Sequence, residues 1–199
     1  MSRQLFAADV MFFQRFLKCA GLYLGRLDGI WGPKTDAAAD VFDARTQALA
    51  LELGTFDRMS ERSIRSLQPR AQELARRFMR RLVYAGIPAR VISGTRTYAE
   101  QEALYRKGRF GNPPPRVTKA RGGHSNHNFG LAWDIGIFKD GSYLPASAMY
   151  RQAAEVGLAP ELEWGGQWRT FVDLPHYQLR TGNTVAVVRD RFERGATYV

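Results

Sequence analysis

The stretch Ser125-Asn126-His127-Asn128-Phe129-Gly130-Leu131-Ala132-Trp133-Asp134 places an imidazole and a carboxylate seven positions apart in an otherwise small and apolar run. The pattern from Leu131 to Phe138 predicts a strand, and a strand end can hold Asp134 rigidly while the preceding loop presents His127. Gly130 and Ala132 keep the neighbourhood small enough for a close approach of the backbone. Alone, this spacing is a weak indication of a metal site.

The chain contains only three histidines, which are His124, His127 and His176. Zinc accepts imidazole nitrogen and carboxylate oxygen, and a catalytic zinc site uses three protein ligands. His127, Asp134 and His176 therefore make a plausible ligand set with a net positive centre. Such a centre lowers the pKa of a bound water towards ~7, although several other transition ions also accept these ligands.

Asp173 belongs to the segment Asp173-Leu174-Pro175-His176, in which the proline disfavours helix for Leu174. Asp173 can therefore reach the water at the metal without being a ligand, as a general base and then as an acid to the leaving amine. In the alternative arrangement, Asp173 is the ligand and Asp134 is not.

Arg96 follows the predicted strand 89–93 and precedes a helix that Thr97 and Glu100 are expected to start as a capping box. A guanidinium fixed at such a corner can hold a substrate carbonyl and stabilise the developing oxyanion. A surface salt bridge is the alternative role for an isolated arginine.

Taken together, these segments resemble the zinc D-Ala-D-Ala carboxypeptidase superfamily, and more closely its branch of phage L-alanyl-D-glutamate endopeptidases. The resemblance covers roughly residues 70–180. Within this range, two further segments carry it, which are Ser93–Gln101 and Glu163-Trp164-Gly165-Gly166-Gln167-Trp168. It implies a small antiparallel sheet with flanking helices, Zn²⁺ as the cofactor, and hydrolysis of a stem-peptide amide. It further implies the following roles: zinc ligands at His127, Asp134 and His176, a catalytic carboxylate at Asp173, and a substrate-polarising arginine at Arg96.

Two further polar residues near these segments have no assigned role. His124 lies close to the ligand loop but outside the pattern. The two glycines before it favour an exposed loop, and a role in supporting the ligands or in contacting the substrate is the alternative. Glu163 is a rival to Asp173 as the base, and a structural role beside the Trp164 turn is the other interpretation.

Residues 1–58 are predicted to form a small all-helical domain, with helices over roughly 9–20 and 34–52. The segment between them reads Asp28-Gly29-Ile30-Trp31-Gly32-Pro33-Lys34-Thr35, in which Asp-Gly supplies a turn and Gly-Pro a helix start. With Gln14, Leu17 and Gly21-Leu22-Tyr23, it resembles the peptidoglycan-binding domain found beside many cell-wall hydrolases. In the second helix, Ala38, Val41, Phe42 and Ala48 are the candidate buried positions.

Residues 59–199 are predicted to form the peptidase domain, and the mixture of helices and strands indicates an α+β fold. Residues 55–69 are predicted to be a polar connector, and a long irregular loop is expected between about residues 107 and 124. A helix over 70–85 carries an apolar stripe with arginines beside it. That helix is predicted to be a core helix, with membrane contact by a cationic helix as the alternative.

The net charge of +10 is concentrated after residue 55, where 23 Lys and Arg residues face 13 Asp and Glu residues. A basic field favours an anionic partner, and we expect that partner to be bacterial peptidoglycan rather than nucleic acid, for which no motif is present. The single cysteine, Cys19, excludes an intrachain disulfide. The opening residues contain no pattern of a signal peptide. We therefore expect a monomer that is made in the host cytoplasm and acts on the wall after release.

The leading hypothesis is a phage-type endolysin, a bacteriolytic zinc metallopeptidase that cuts the stem peptide, with L-Ala–D-Glu as the expected bond. One alternative is a carboxypeptidase that removes the terminal D-Ala from the same stem. The other is a non-catalytic wall-binding protein with a structural zinc.

Overall fold

The computed structural model describes residues 7–199, which form two compact units. The first unit comprises the described residues up to Arg45 together with Arg96–Phe129 and Gly182–Val199. The second comprises Thr46–Thr95 and Gly130–Thr181. The helices within residues 7–199 are α1 (Ala7–Cys19), α2 (Pro33–Leu53), α3 (Arg58–Arg65), α4 (Pro69–Tyr84), α5 (Tyr98–Arg106), α6 (Met149–Gly157) and α7 (Val185–Arg194). The strands are β1 (Ala89–Ser93), β2 (Ala132–Lys139), β3 (Ser142–Tyr143), β4 (Leu162–Trp164) and β5 (His176–Leu179). The predicted α+β class is confirmed.

The second unit is built on an antiparallel sheet with the strand order β1-β2-β5-β4, and the short β3 pairs with β2. The register places Asp134 on β2 opposite His176 on β5. It also places Ser93, at the end of β1, opposite Asp134 after an irregularity in the pairing. The sheet therefore brings two of the predicted ligands together through backbone pairing alone.

One face of this sheet is covered by α4. The ring of Phe78 lies 4.4 Å from that of Tyr177 and 6.1 Å from that of Trp133. Because successive strand residues point to opposite faces, Trp133 enters this core and Asp134 faces away from it. The predicted apolar stripe of α4 is buried in full (Leu74, Ala75, Phe78, Met79 and Leu82), as expected of a core helix.

Arg76 is fully buried on α4, although the sequence pattern placed it with the arginines outside the stripe. Its guanidinium donates to both carboxylate oxygens of Glu61, at 2.8 and 2.9 Å, and to the carbonyl oxygen of Gly54 at 2.8 Å. A charge this deep is tolerated because a carboxylate and a carbonyl accept hydrogen bonds from both terminal nitrogens of the guanidinium.

The prediction of a polar connector over 55–69 is wrong, because α3 occupies its centre. Asp57 caps this helix by accepting hydrogen bonds from the backbone N–H groups of Met59 and Ser60. Ser60 then accepts a hydrogen bond from the N–H of Val91 at 2.9 Å, which attaches α3 to β1. The buried face of α3 consists of Ser60, Ser63 and Ile64, and a face made mainly of serines does not show in a pattern of apolar residues.

The first unit has an aromatic core formed by α1, α5, α7 and the residues before β2. The ring of Phe192 lies 5.2 Å from that of Phe12 and 5.4 Å from that of Phe129. The Tyr198 hydroxyl donates to the carbonyl oxygen of Phe129 at 2.7 Å. Because Phe129 is two residues after His127, this core fixes the backbone that carries that histidine.

Gln14 on α1 holds the turn between α1 and α2. Its side-chain oxygen accepts from the N–H groups of Asp28 and Gly29, and its amide donates to the Asp28 carboxylate at 2.9 Å. The same turn carries Trp31, whose ring stacks on Phe13 at 5.4 Å. These contacts show why the turn needs its Gln and Asp, and peptidoglycan binding by this segment stays a prediction.

In α2, Ala38 and Phe42 are buried as predicted, but Val41 and Ala48 are exposed. The buried face continues instead through Thr46, Ala50 and Leu53. The prediction for Val41 and Ala48 is wrong because alanine and valine also occupy exposed positions, so their presence on a 21-residue helix does not identify its buried face.

The predicted division into residues 1–58 and 59–199 concerns sequence modules and stays a prediction, as do the expected monomer and the absence of a signal peptide. Residues 1–6, which enter two of these predictions, lie outside the described residues. Within residues 7–199, no helix combines the length and the hydropathy needed to span a bilayer.

Candidate metal centre

His127 lies on a short 3₁₀ helix, Asn126–Phe129, and is almost completely buried. Its carbonyl oxygen accepts a hydrogen bond from the N–H of Arg96 at 3.0 Å. The neighbouring Asn128 accepts from the N–H of Gly123 and donates to the carbonyl oxygens of Arg96 and Thr97. The buried carboxamide therefore joins the backbone at Gly123 and the backbone at Arg96 and Thr97 to the segment that carries the histidine.

Asp134 and His176 face each other across β2 and β5. The Nδ1 atom of His176 lies 3.2 Å from the Oδ1 atom of Asp134. Burial disfavours the charged form of His176, but the hydrogen bond and the charge of Asp134 outweigh this effect and raise the pKa of the histidine. The pair therefore attracts a cation, and either a proton or a metal ion can satisfy it.

One ligand atom from each of His127, Asp134 and His176 lies within 4.8 Å of the other two. Two imidazoles and one carboxylate in this proximity match the donor set of a three-ligand zinc site. The cluster includes Asp134 and not Asp173, which favours the first of the two arrangements considered from the sequence. The roles of these residues as ligands stay predictions.

Asp173 is half-buried in the turn that leads into β5. Its N–H donates to the carbonyl oxygen of Gly165 at 3.0 Å, and its charge contributes to the raised pKa of His176. The indole N–H of Trp164 donates to the carbonyl oxygen of Leu174 at 2.8 Å. The N–H of Ile135 on β2 donates to the carbonyl oxygen of Pro175 at 3.0 Å. Hydrogen bonds to the backbone of Asp173, Leu174 and Pro175 therefore fix the segment that precedes His176.

Gly165 allows this turn to lie close to the end of β4. A Cβ atom on Gly165 would lie 2.6 Å from the carbonyl oxygen of Asp173 and 3.1 Å from the Cβ atoms of Asp173 and His176. Real Cβ atoms essentially never lie under 3.0 Å from another heavy atom, so this position has room only for glycine.

Arg96 lies between β1 and α5, at the corner that the sequence predicted. The predicted capping box is confirmed, since Thr97 accepts from the N–H of Glu100 and Glu100 accepts from the N–H of Thr97. The side chain of Arg96 is half-buried. Its role toward a substrate stays a prediction.

His124 and Glu163 have other partners. His124 is exposed, and its Nε2 atom lies 3.1 Å from a guanidinium nitrogen of Arg189 on α7, a donor-only group. Glu163 accepts a hydrogen bond from the indole N–H of Trp168 at 2.6 Å and another from the amide of Gln178 at 3.2 Å. These contacts favour the structural interpretation of Glu163 over a role as the base.

Gln178 was missed by the sequence reasoning. It lies two positions after His176 on β5, and its Oε1 atom is 2.9 Å from the Nε2 atom of that histidine. Residues two apart on a strand share a face, so a strand that begins at His176 places Gln178 beside the histidine.

Comparison with known proteins gives three findings for this chain. Residues 118–179, which include all three candidate ligands and Asp173, match the family model described as D-alanyl-D-alanine carboxypeptidase. The chain is 37% identical over 106 residues to the peptidoglycan L-alanyl-D-glutamate endopeptidase CwlK of Bacillus subtilis, a match that covers 47% of this chain and 62% of that protein. It also matches the crystal structure of the Serratia marcescens L-Ala D-Glu endopeptidase ChiX, with 29% identity, a TM-score of 0.47, and coverage of 66% of this chain and 94% of the other.

The family match and the Bacillus relative support the predicted peptidase resemblance for the segment that carries the candidate site. The alignment spans less than two thirds of the length of the Bacillus relative.

Proposed function

We propose that this chain is a zinc-dependent peptidase that hydrolyses the stem peptide of bacterial peptidoglycan at the L-Ala–D-Glu bond. The proximity of His127, Asp134 and His176 carries the proposal, because it offers a catalytic donor set within the segment that matches a peptidase family. The choice of bond is supported by the named activity of the Bacillus relative, which is an L-alanyl-D-glutamate endopeptidase.

The chemistry can be divided between the metal and the protein. A bound zinc ion supplies a Lewis acid that polarises a carbonyl and acidifies water. Asp173 accepts the proton of the attacking water and then delivers it to the departing amine as the carbon–nitrogen bond breaks. The Arg96 guanidinium stabilises the negative charge that develops on the substrate oxygen.

The surroundings of Asp173 suit this role. Its backbone is held by Gly165, and Leu174 and Pro175 are held by Trp164 and Ile135. Proton transfer needs the carboxylate in place before the substrate arrives, and a fixed backbone provides this at no cost during the reaction.

The proposal extends to the wall and to the biological role. The excess of basic residues after residue 55 complements the carboxylates of stem peptides and other anionic wall polymers. The resemblance of the N-terminal segment to a peptidoglycan-binding domain supports delivery of the site to the wall. A bacteriolytic enzyme of the phage endolysin type, made in the host cytoplasm and released onto the wall, is the role that joins these features.

A D-Ala-D-Ala carboxypeptidase is the second candidate, and the description of the matching family model favours it. Both activities can use the same metal ligands, so the ligand set does not distinguish them. The products do, because an endopeptidase exposes a new amino-terminal glutamate and a carboxypeptidase releases free D-Ala.

The Asp173→Ala variant tests the proposed chemistry against a structural zinc. We expect the variant to bind one zinc ion per chain, as the unaltered protein does, and to hydrolyse purified stem peptide at least ~100-fold more slowly, because general acid–base catalysis contributes ~10²–10⁴. The measurements are zinc content by elemental analysis and product release by chromatography. Unchanged hydrolysis would remove Asp173 from the mechanism, and an unaltered protein that binds zinc without hydrolysing stem peptide would identify a wall-binding protein.

A further inference from the structure

We infer that Trp168, Glu163 and Gln178 form a hydrogen-bonded relay that fixes the ring tautomer of His176, so that its Nδ1 atom is the one offered to the metal. Gln178 and Glu163 are then positioning residues for the metal centre. The inference rests on the proposed function to the extent that His176 is a metal ligand.

The relay begins at a group that can only donate. The indole N–H of Trp168 donates to the Oε1 atom of Glu163 at 2.6 Å. An indole nitrogen has no acceptor capacity, and an ionised carboxylate has no donor. The direction of this first hydrogen bond is therefore fixed by chemistry.

The second hydrogen bond fixes the orientation of an amide. The other carboxylate oxygen of Glu163 lies 3.2 Å from the Nε2 atom of Gln178. Only the NH₂ group of Gln178 can donate to a carboxylate, so the carbonyl oxygen of the same amide must face the other way. It lies 2.9 Å from the Nε2 atom of His176.

The third hydrogen bond fixes the histidine. An amide oxygen only accepts, so the Nε2 atom of His176 must carry a proton. The neutral ring then holds its lone pair on Nδ1, which lies 3.2 Å from the Oδ1 atom of Asp134. Two acceptors at this distance repel each other unless a cation joins them, and a metal ion bound by both removes the repulsion.

The pairing of three strands brings Asp134, His176, Gln178 and Glu163 together. Asp134 on β2 is opposite His176 on β5, and Gln178 on β5 is opposite Glu163 on β4. His176 and Gln178 are two residues apart and share one face of β5. The ring of Trp168 lies 4.9 Å from that of His176 and covers it. Backbone pairing thus preorganises the orientation of the ligand.

The Gln178→Leu variant tests the relay by removing the acceptor while keeping much of the side-chain volume. Losing the outer partner of a metal-binding histidine weakens metal affinity ~10–100-fold, and we expect a loss in this range for zinc. The matched control is Gln167→Leu, the same substitution at an exposed position in the 3₁₀ turn Gly165–Gln167, for which the zinc affinity should be unchanged.

A reciprocal exchange separates the relay from simple packing. In the double variant Gln178→Glu with Glu163→Gln, the carboxylate at position 178 accepts from both His176 and the new amide at 163, whose oxygen accepts from Trp168. All three hydrogen bonds are retained, so we expect zinc affinity within about threefold of the unaltered protein. A purely structural role for these side chains predicts no such rescue.

Two measurements report the outcome without relying on activity. Competition with a chromophoric chelator gives the zinc dissociation constant, and ¹⁵N chemical shifts of the His176 ring in the zinc-loaded protein show which nitrogen carries the proton. We expect a protonated Nε2 and a metal-bound Nδ1 in the unaltered protein and in the double variant. Thermal unfolding of the metal-free variants shows that each is folded.

The inference is overturned if Gln178→Leu binds zinc as tightly as the unaltered protein with the same ¹⁵N pattern, or if the double variant is folded but does not recover affinity. If the unaltered protein binds zinc and hydrolyses stem peptide in that case, only the relay is wrong. If the unaltered protein binds no zinc, the proposed function is wrong as well.

Discussion

Replacing Gly165 with alanine adds a single methyl group at the point where the turn before β5 crosses the end of β4. The added Cβ atom would lie 2.6 Å from the carbonyl oxygen of Asp173, where ordinary contact begins at 3.4 Å. Relief of this contact requires a displacement of about 0.8 Å. The atoms that must yield are the backbone of Asp173 and, at 3.1 Å, the Cβ atom of His176.

The expected magnitude follows from that displacement. A misplacement of about 1 Å can cost ~100-fold in rate when a catalytic group loses its geometry. We expect Gly165→Ala to lower the turnover of stem peptide by about 30–100-fold. Overpacking also costs ~1–3 kcal/mol of stability, so the variant should still fold.

The assay compares turnover and zinc affinity of Gly165→Ala with those of Val172→Ala. Val172 lies in the same turn and its side chain is 58% exposed, so its truncation creates no clash. We expect the control to retain the turnover of the unaltered protein within about twofold. Turnover of Gly165→Ala equal to that of the control would refute the claim that this close contact positions Asp173 and His176.

Three further predictions concern stability and reactivity. Arg76→Leu should lower the free energy of unfolding by ~3–5 kcal/mol because it leaves the Glu61 carboxylate without its buried partner. The side chain of Arg77 is 46% exposed, so Arg77→Leu should lower the free energy of unfolding by less than ~1 kcal/mol. Urea unfolding of the metal-free proteins measures both losses, and equal losses would contradict the buried pair. Thr97→Ala should cost ~0.5–2 kcal/mol through the loss of the cap of α5, whereas Thr97→Ser should cost less; the same unfolding measurement applies. Burial raises the pKa of Cys19 to about 12, so this thiol stays protonated and should not react with a thiol reagent at pH 8 until the protein is unfolded. The contribution of the buried Cys19 thiol to stability is present at a pH below its unfolded pKa of ~8.5 and is lost as the pH rises towards about 12. Rapid labelling of Cys19 in the folded protein would contradict its burial.

The elements predicted well from the sequence are those in which local signals agree with the tertiary environment. α4 has a complete apolar stripe, α5 has a capping box, and β2 has the pattern of a buried strand; all three are present close to the predicted positions. The prediction failed where the buried face of a helix is mainly polar. α3 buries Ser60 and Ser63, and it is held by its Asp57 cap and by the hydrogen bond from Val91 on β1 to Ser60. No prediction covered α7.

The sequence predicted the three residues that cluster in the candidate site but not their surroundings, and the roles of these residues stay predictions. The identities of the three clustered residues follow from a motif, because imidazole and carboxylate types are scarce and their spacing is distinctive. The partners of His176 depend on strand register, since Gln178 and Glu163 meet only because β5 pairs with β4. The burial of Arg76 likewise depends on Glu61, which is 15 residues away in the chain.

Mass spectrometry of purified bacterial sacculi digested with this protein, with and without a chelator, tests the proposed zinc-dependent cleavage of the L-Ala–D-Glu bond. We expect muropeptides with a new amino-terminal glutamate, which disappear when the chelator is present and return when zinc is restored. Release of D-Ala without new amino-terminal glutamate, or cleavage that the chelator does not affect, would contradict it.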